Sequence, residues 1–442
     1  MRKIERPPVI TEKWEYGALL TELVEIGKFS EVWKTDDDSY PYWEKWKYRA
    51  QEWGYDPKKL WFVIKAKRGA SKIISFRGLV GFKMHLNSPS IMQEQLHELD
   101  LNLGGSLHTS DLIPAEEKQR YLVSSLMEEA IASSQLEGAA TTRKLAKEML
   151  ESNRKPRDLS EQMIVNNYAV MQWIVQNKNA VMTPALILQI HHIITNKTFA
   201  DSAEEGAFRK DDDVRIVDVE TGAVVHTPPT YLELENLMAE FCVFANDGRK
   251  EDFFLHPISK AITLHFLIGY IHPFADGNGR TARAMFYWYL IKKGYWLIEY
   301  MSVSRVILGS KAQYARAYQH TELDGNDLTY FVLYNLKAIL TSLEELKKYI
   351  ARKNKEKKDT LTLLRHTDYN ERQVAILQEI LTGDKQIFTV SEVEKRFEVS
   401  NQTARNDLNQ LAEKGILEAK KTGKKIQFLV TDNALKKIDG NR

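Results

Sequence analysis

The sequence predicts a mainly α chain: a helical core interrupted by one small β-hairpin, an accessory domain before it, and a second helical domain after it that ends in a hairpin. Three observations carry this. From about residue 114 the pattern turns strongly helical, with apolar residues keeping the spacing of one helix face at Leu122, Leu126, Ala130 and Ile131. The stretch DVRIVDVETGAVVHTPP, 213–229, instead alternates apolar and polar residues on both sides of Glu220-Thr221-Gly222, which marks a hairpin. No period of about 20 to 50 residues recurs, which excludes a solenoid or propeller.

The 62 Lys+Arg and 60 Asp+Glu leave a net charge of +2, and 43% of residues are hydrophobic. A disordered chain is excluded, and the near-zero charge argues against wholesale coating of nucleic acid or of a membrane surface while leaving room for a local basic patch. The lone cysteine, Cys242 in FCVF, reads as a small buried hydrophobe and suits a reducing compartment. MRKIERPPVITEKWEY carries no apolar signal segment, and no stretch reaches the ~20 apolar residues of a membrane span. A cytoplasmic location and no membrane contact are expected; a homodimer is left open.

Residues 1–100 form the accessory domain, rich in tryptophan, with WEKWKYRAQEW and QEQLHELDLNL as amphipathic helices. The core spans 101–350. Its helices are expected from about 114 to 138 and then at 158–177, 184–196, 230–246, 256–271, 278–293, 309–320 and 326–350. The charged run 351–366 reads as a helix extension or linker. In 367–442, NERQVAILQEIL is a helix, Thr389 and Ser391 can cap EVEKRF, and Ser400 can cap NQTARNDLNQLAEKG, closed by Gly415. Strands ILEAK and IQFLVT come next, joined by the basic turn KTGKK. Helix, helix, turn, helix and hairpin in this order resembles a winged helix-turn-helix domain.

The densest chemistry lies in HPFADGNGRTAR, 272–283. Pro273 disfavours helical geometry at His272 and so presents its imidazole at a turn. Gly277 and Gly279 permit a tight loop, and Asn278 is a good cap for the next helix. Such a helix N-terminus favours phosphate, with Arg280 and Arg283 on one face to reach neighbouring phosphates. Asp276 offers a hard oxygen ligand suited to Mg²⁺, and His272 can act as a general base. Together these describe phosphoryl or nucleotidyl transfer. A metal site through His256, His265 and His272 is the weaker reading, since His265 sits on an apolar helix face.

HPFADGNGRTAR resembles the active-site signature of the Fic family, HxFx(D/E)GNGRxxR, and the resemblance spans about 100–345. It implies a helical core with a β-hairpin flap and transfer of AMP from ATP to a Ser, Thr or Tyr hydroxyl of a target protein. By the same resemblance His272 deprotonates that hydroxyl and Asp276 holds Mg²⁺. Gly277, Asn278, Gly279 and Arg280 cradle the phosphates, Phe274 anchors the loop, and Gly279 separates the chain from the kinase-like branch. Ser133-Ser-Gln-Leu-Glu137-Gly138 is similar to the family's inhibitory motif (S/T)xxxE(G/N). It implies that Glu137 pairs with Arg283 where a γ-phosphate should sit, and that the same glutamate assists removal of AMP. The hairpin falls at the family's flap, with Val224, Val225 and His226 as candidates for docking the target strand.

The alternative function is a DNA-binding regulator acting through the C-terminal domain, with the core silenced or sensing nucleotide. Arg405, Asn406 and Asn409 on the third helix and Lys421, Lys424 and Lys425 in the wing are its candidate contacts. Residues 351–442 hold 19 Lys+Arg against 14 Asp+Glu, a modest excess, and Asp407 weakens the positive face of the third helix.

Overall fold

The computed structural model describes residues 4–75, 83–104, 113, 118–217, 222–248, 254–364, 369–381, 386–422, 425–431 and 433–439. The chain is mainly helical and divides into two units, Met1–Leu346 and Lys347–Arg442.

The first unit opens with α1 (Tyr16–Glu25), α2 (Phe29–Ser39), α3 (Trp43–Glu52) and α4 (Pro57–Lys67), then a hairpin of β1 (Lys72–Ser75) and β2 (Lys83–Leu86), then α5 (Ser90–Leu103). Asp56 starts α4, its side chain accepting from the N–H groups of Lys58 and Lys59 with Pro57 in the first turn. The tryptophans build a core: Trp43, Trp46 and Trp61 are buried with Leu23, Leu60 and Val63. Arg68 lies inside this region, donating to Asp36, to the Pro41 carbonyl and to the Tyr330 hydroxyl.

Next come α6 (Lys118–Leu136), α7 (Arg143–Glu151), α8 (Leu159–Gln176) and α9 (Pro184–Thr195), the flap strands β3 (Ile216–Val217) and β4 (Val224–His226), and α10 (Leu234–Ala245). After them come α11 (Pro257–Ile271), α12 (Asn278–Lys292), α13 (Val303–Leu308), α14 (Lys311–Leu323) and α15 (Thr329–Leu364). Helices α11 and α12 are buried along nearly their whole length, which is why neither shows an amphipathic stripe: they are the centre of the unit. The antiparallel flap pairs Ile216 with His226 and Val217 with Val224. It is shorter than the alternating pattern predicts, and residues 218–221, which include Glu220 and Thr221 of the expected turn, lie outside the described residues, as does 114–117 before α6. The charged run after 350 continues α15 as helix to Leu364.

The second unit holds α16 (Glu371–Leu381), β5 (Ile387–Thr389), α17 (Val390–Phe397), α18 (Asn401–Glu413), β6 (Leu417–Thr422), β7 (Lys425–Val430) and α19 (Ala434–Asp439). Its sheet order is β5-β7-β6, all antiparallel. Ser400 caps α18 by accepting from the Thr403 N–H at 3.2 Å. At the start of α17, by contrast, Thr389 makes no side-chain cap bond, and the helix begins at Val390, before Ser391. Phe388, Leu408, Leu411 and Phe428 meet in the core, so helices and wing share one apolar interior.

Candidate functional site

The site is built where α11 ends and α12 begins. His272 caps α11 in a left-handed conformation, φ +48°, because Pro273 forbids another helical turn. Its Nδ1 lies 3.2 Å from the Gly269 carbonyl. A carbonyl only accepts, so Nδ1 carries the proton and Nε2 is the free lone pair. Burial lowers the imidazole pKa, against the stabilising carbonyl of Gly269. The ring is therefore a neutral base in the neutral pH range.

The loop between the helices is fixed from all sides. Phe274 is fully buried, and the ring of His191 stacks on it with centroids 3.7 Å apart. His191 Nδ1 accepts from the Gly206 N–H at 3.1 Å, which leaves Nε2–H to donate to the Asp276 carbonyl at 2.9 Å. Burial pushes the pKa of His191 down to about 4, which keeps this tautomer neutral. Arg209 closes the other side: its N–H donates to the Pro273 carbonyl, its Nε to the His272 carbonyl at 3.0 Å, and its Nη2 to the Pro229 carbonyl beyond the flap. One guanidinium thus ties the loop after α11 to the segment that follows β4. Nothing near His191 or Arg209 in the sequence announces these roles, since their partners in the loop lie 63 to 85 residues away.

Two expectations change here. Asn278 is not the cap of α12: Gly277 is, at φ +83°, and Asn278 is the first helical residue. The Asn278 side chain reaches back, accepting from the Phe274 N–H at 3.0 Å and donating to the Phe274 carbonyl at 2.8 Å. A β-carbon at Gly277 would meet Thr195 Cγ2 at 3.0 Å and His191 Nε2 at 3.1 Å, so both φ and space require glycine there. Arg280 and Arg283, expected side by side on one face, diverge. Arg280 is fully buried and donates to the Ile194 carbonyl at 3.0 Å and to Asp276 at 3.2 Å, which leaves its side chain a brace of the loop.

Arg283 points the other way, to the end of α6. Its Nε donates to Ser133 Oγ at 2.7 Å, and its Nη2 donates to the Ser133 carbonyl at 3.0 Å and to Glu137 Oε1 at 2.8 Å. Burial alone would lower the guanidinium pKa, but Glu137, together with Tyr314 and Glu129, offsets it and the pKa is raised. Gly138 turns the chain out of α6 at φ +96°. The Glu137 carboxylate comes to rest against the Cα of Gly279, where a β-carbon would overlap it. Two turns earlier Glu129, fully buried, accepts from Tyr287 Oη at 2.8 Å and from Ser302 and Ser304. Residues 129 and 133 of α6 and Glu137 just beyond its end therefore lie on one side, turned to α12.

The N-terminus of α12 offers backbone N–H groups at Asn278, Gly279 and Arg280 with no acceptor among the described residues, an anion-binding end. Asp276, with a side chain 60% exposed, stands beside it and accepts from the Gly277 N–H at 2.6 Å. No group of three or more His, Cys, Asp or Glu among the described residues could hold a metal. A single exposed carboxylate beside an anion site does fit Mg²⁺, which takes most of its ligands from phosphates and water. His256 is accounted for as the cap of α11, with Nε2 2.9 Å from Asp100. His265 is bonded to Tyr314 in the core. Cys242 is buried with its thiol pKa pushed up to about 12, so it is no nucleophile.

On the flap, Val224 is half exposed, Val225 less so, and His226 is turned inward, bonded to Glu322 and the Tyr270 carbonyl. A docked strand would meet only its main chain. In the C-terminal unit Arg405, Asn406 and Asn409 are exposed on α18. Asp407 is buried and bonded to Arg372 and Asn370, so it does not weaken that face after all. Lys421 and Lys425 belong to β6 and β7, and Lys424 lies outside the described residues.

Comparison with known proteins agrees with this anatomy. Residues 181–290 match the Fic/DOC family and residues 372–424 the DeoR-like helix-turn-helix domain. The protein adenylyltransferase Fic of Aedes aegypti is 35% identical over 130 residues, 29% of this chain and 24% of that protein. The one of Nematostella vectensis is 43% identical over 72 residues, 16% of each. The match thus spans about a quarter or less of these relatives' length. A Fic family protein from Desulfovibrio desulfuricans G20 aligns at TM-score 0.48 and 18% identity, over 77% of this chain and 94% of that one. The chain carries a Fic domain followed by a DeoR-like helix-turn-helix domain. Among the described residues no helix is long and apolar enough to cross a membrane.

Proposed function

We propose that this chain transfers AMP from ATP to a hydroxyl side chain of a target protein, and that Glu137 holds it inactive at rest. The observation that carries the proposal is one free imidazole lone pair beside a helix N-terminus whose first N–H groups have no acceptor among the described residues, with the Glu137 carboxylate lodged against it. Nε2 of His272 takes the proton of the target hydroxyl, whose oxygen bonds to the α-phosphorus as the bond to the leaving pyrophosphate breaks. The N–H groups of residues 278–280 hold the phosphates. Mg²⁺, held by Asp276, would neutralise charge on them. Arg283 binds the terminal phosphate once Glu137 leaves it. The same glutamate, when docked, activates water for removal of AMP. The buried Cys242 suits a cytoplasmic setting.

The test is incubation of wild type, Glu137→Gly and Glu137→Gly/His272→Ala with labelled ATP and Mg²⁺ in a cell lysate. Label on proteins with Glu137→Gly, at least about tenfold above wild type and absent with His272→Ala, supports the proposal; a tenfold gain needs only about 1.4 kcal/mol of bias. Equal labelling by all three would sink it.

A second reading, compatible with the first, is DNA binding by the C-terminal unit. It is favoured by the burial of Asp407, which leaves Arg405, Asn406 and Asn409 as an outward polar row on α18. A mobility shift with the full chain that weakens with salt and with Arg405→Ala is expected; no shift at low salt would exclude it.

A further inference from the structure

Beside the flap lies a cavity of about 440 Å³ whose lining includes four consecutive residues, Val224, Val225, His226 and Thr227. Side chains of a strand alternate between faces, so four residues in a row line a cavity only when it runs along the strand's edge. The other edge of β4 is taken by β3. The cavity is therefore the gutter in which an added strand would lie, and Tyr270, two residues before His272, is at its wall.

Two charged residues, Arg6 and Glu322, also line the cavity. Glu322 is already engaged, with Oε2 2.8 Å from His226 Nδ1. Arg6 is exposed and has no hydrogen-bond or ion-pair partner among the described residues. It is not on a loose tail. The neighbouring Glu5 accepts from Trp43 Nε1 at 3.1 Å and Lys47 Nζ at 2.8 Å, and its carbonyl accepts from Tyr42 Oη at 3.0 Å. On the other side of Arg6, Pro7 and Pro8 stiffen the backbone. The N-terminal region thus holds at the groove a cation with no hydrogen-bond or ion-pair partner among the described residues.

We infer that Arg6 is a specificity residue: it reads an acidic side chain, next to the modified hydroxyl, on a target segment that pairs with the open edge of β4. This rests on the AMP-transfer proposal for the meaning of the hydroxyl, while the recognition itself does not require chemistry. It gives the N-terminal helices a part in choosing the substrate.

The test is fluorescence anisotropy with the full chain and two labelled ten-residue peptides, each with a central threonine, flanked in one by glutamates and in the other by lysines. Wild type should bind the glutamate peptide about fivefold more tightly, the most that one exposed charge pair supplies. Arg6→Glu should reverse the order. Lys13→Glu makes the same change of net charge at an exposed position outside the cavity and should keep the wild-type preference. Equal affinity for the two peptides, binding of neither, or a preference that Arg6→Glu leaves in place or Lys13→Glu also reverses, would overturn the inference. Binding is read without ATP, so a failure of AMP transfer leaves these outcomes intact and faults only the transfer proposal.

Discussion

The carboxylate of Glu137 and the α-carbon of Gly279 are in direct contact: the side chain fills the space that a β-carbon at residue 279 would need, while its Oε1 accepts from Arg283 at 2.8 Å. A carboxylate therefore already sits at the helix end best suited to an anion, and glycine at 279 is what admits it.

Gly279→Ala should for this reason destabilise the wild-type chain more than it destabilises Glu137→Gly, where the colliding group is gone. A double-mutant cycle by thermal unfolding is expected to show coupling of about 0.5 to 3 kcal/mol between the two positions. Additive effects would mean that the contact carries no energy.

His272→Ala should abolish transfer and leave ATP affinity within about twofold, because Nε2 serves the hydroxyl and not the phosphates. Burial lowers the imidazole pKa from its usual 6.5, so the neutral base persists to lower pH than for an exposed histidine. In Glu137→Gly, the initial rate of auto-modification should hold as pH falls through 6.5 and decline only below it. A decline starting above that value would contradict the geometry.

Asn278→Ala removes both bonds to the Phe274 backbone and leaves a buried N–H and C=O unpaired, a loss of about 2 to 4 kcal/mol. Asn278→Asp keeps the acceptor and should lose about half as much. Urea unfolding monitored by tryptophan fluorescence reads both; an unperturbed Asn278→Ala would show that the loop does not depend on this amide.

His191 and His265 are held to pKa values of about 4 and about 3, in both cases chiefly by burial. The unfolded chain takes up these protons near pH 6.5 and the folded chain only well below it. Stability from this source is complete above 6.5 and falls as pH drops from 6.5 toward 4, by up to about 1.4 kcal/mol per pH unit for each ring. Urea midpoints across that window check the sign, and His191→Gln should flatten the slope; a midpoint rising on acidification would refute it.

The loop at 272–283 was legible because its chemistry is local: Pro273, Gly277, Gly279 and the charged residues act within a few positions of one another. What each side chain faces was less so. Arg280 and Arg283 are three apart, about 60° around a helix, and that offset lets one turn to Ile194 and the other to Ser133. His191, Arg209 and Glu129 gain their roles from contacts 63 to 175 residues away, which no spacing encodes. The hairpin of β1 and β2 escaped because four-residue strands such as KIIS are too short to show a period. Asp407 misled for a related reason, since composition counts a charge without its partner, here Arg372.

Glu137 and Arg283 belong to one chain and meet within one unit. Any anion arriving at that guanidinium competes with a tethered rival, whose effective concentration is set by backbone geometry, of millimolar order or above, and not by how much protein is present. Diluting the protein leaves the contest unchanged. Raising the concentration of that anion would relieve it only gradually, whereas a partner that drew the end of α6 aside would remove the rival altogether.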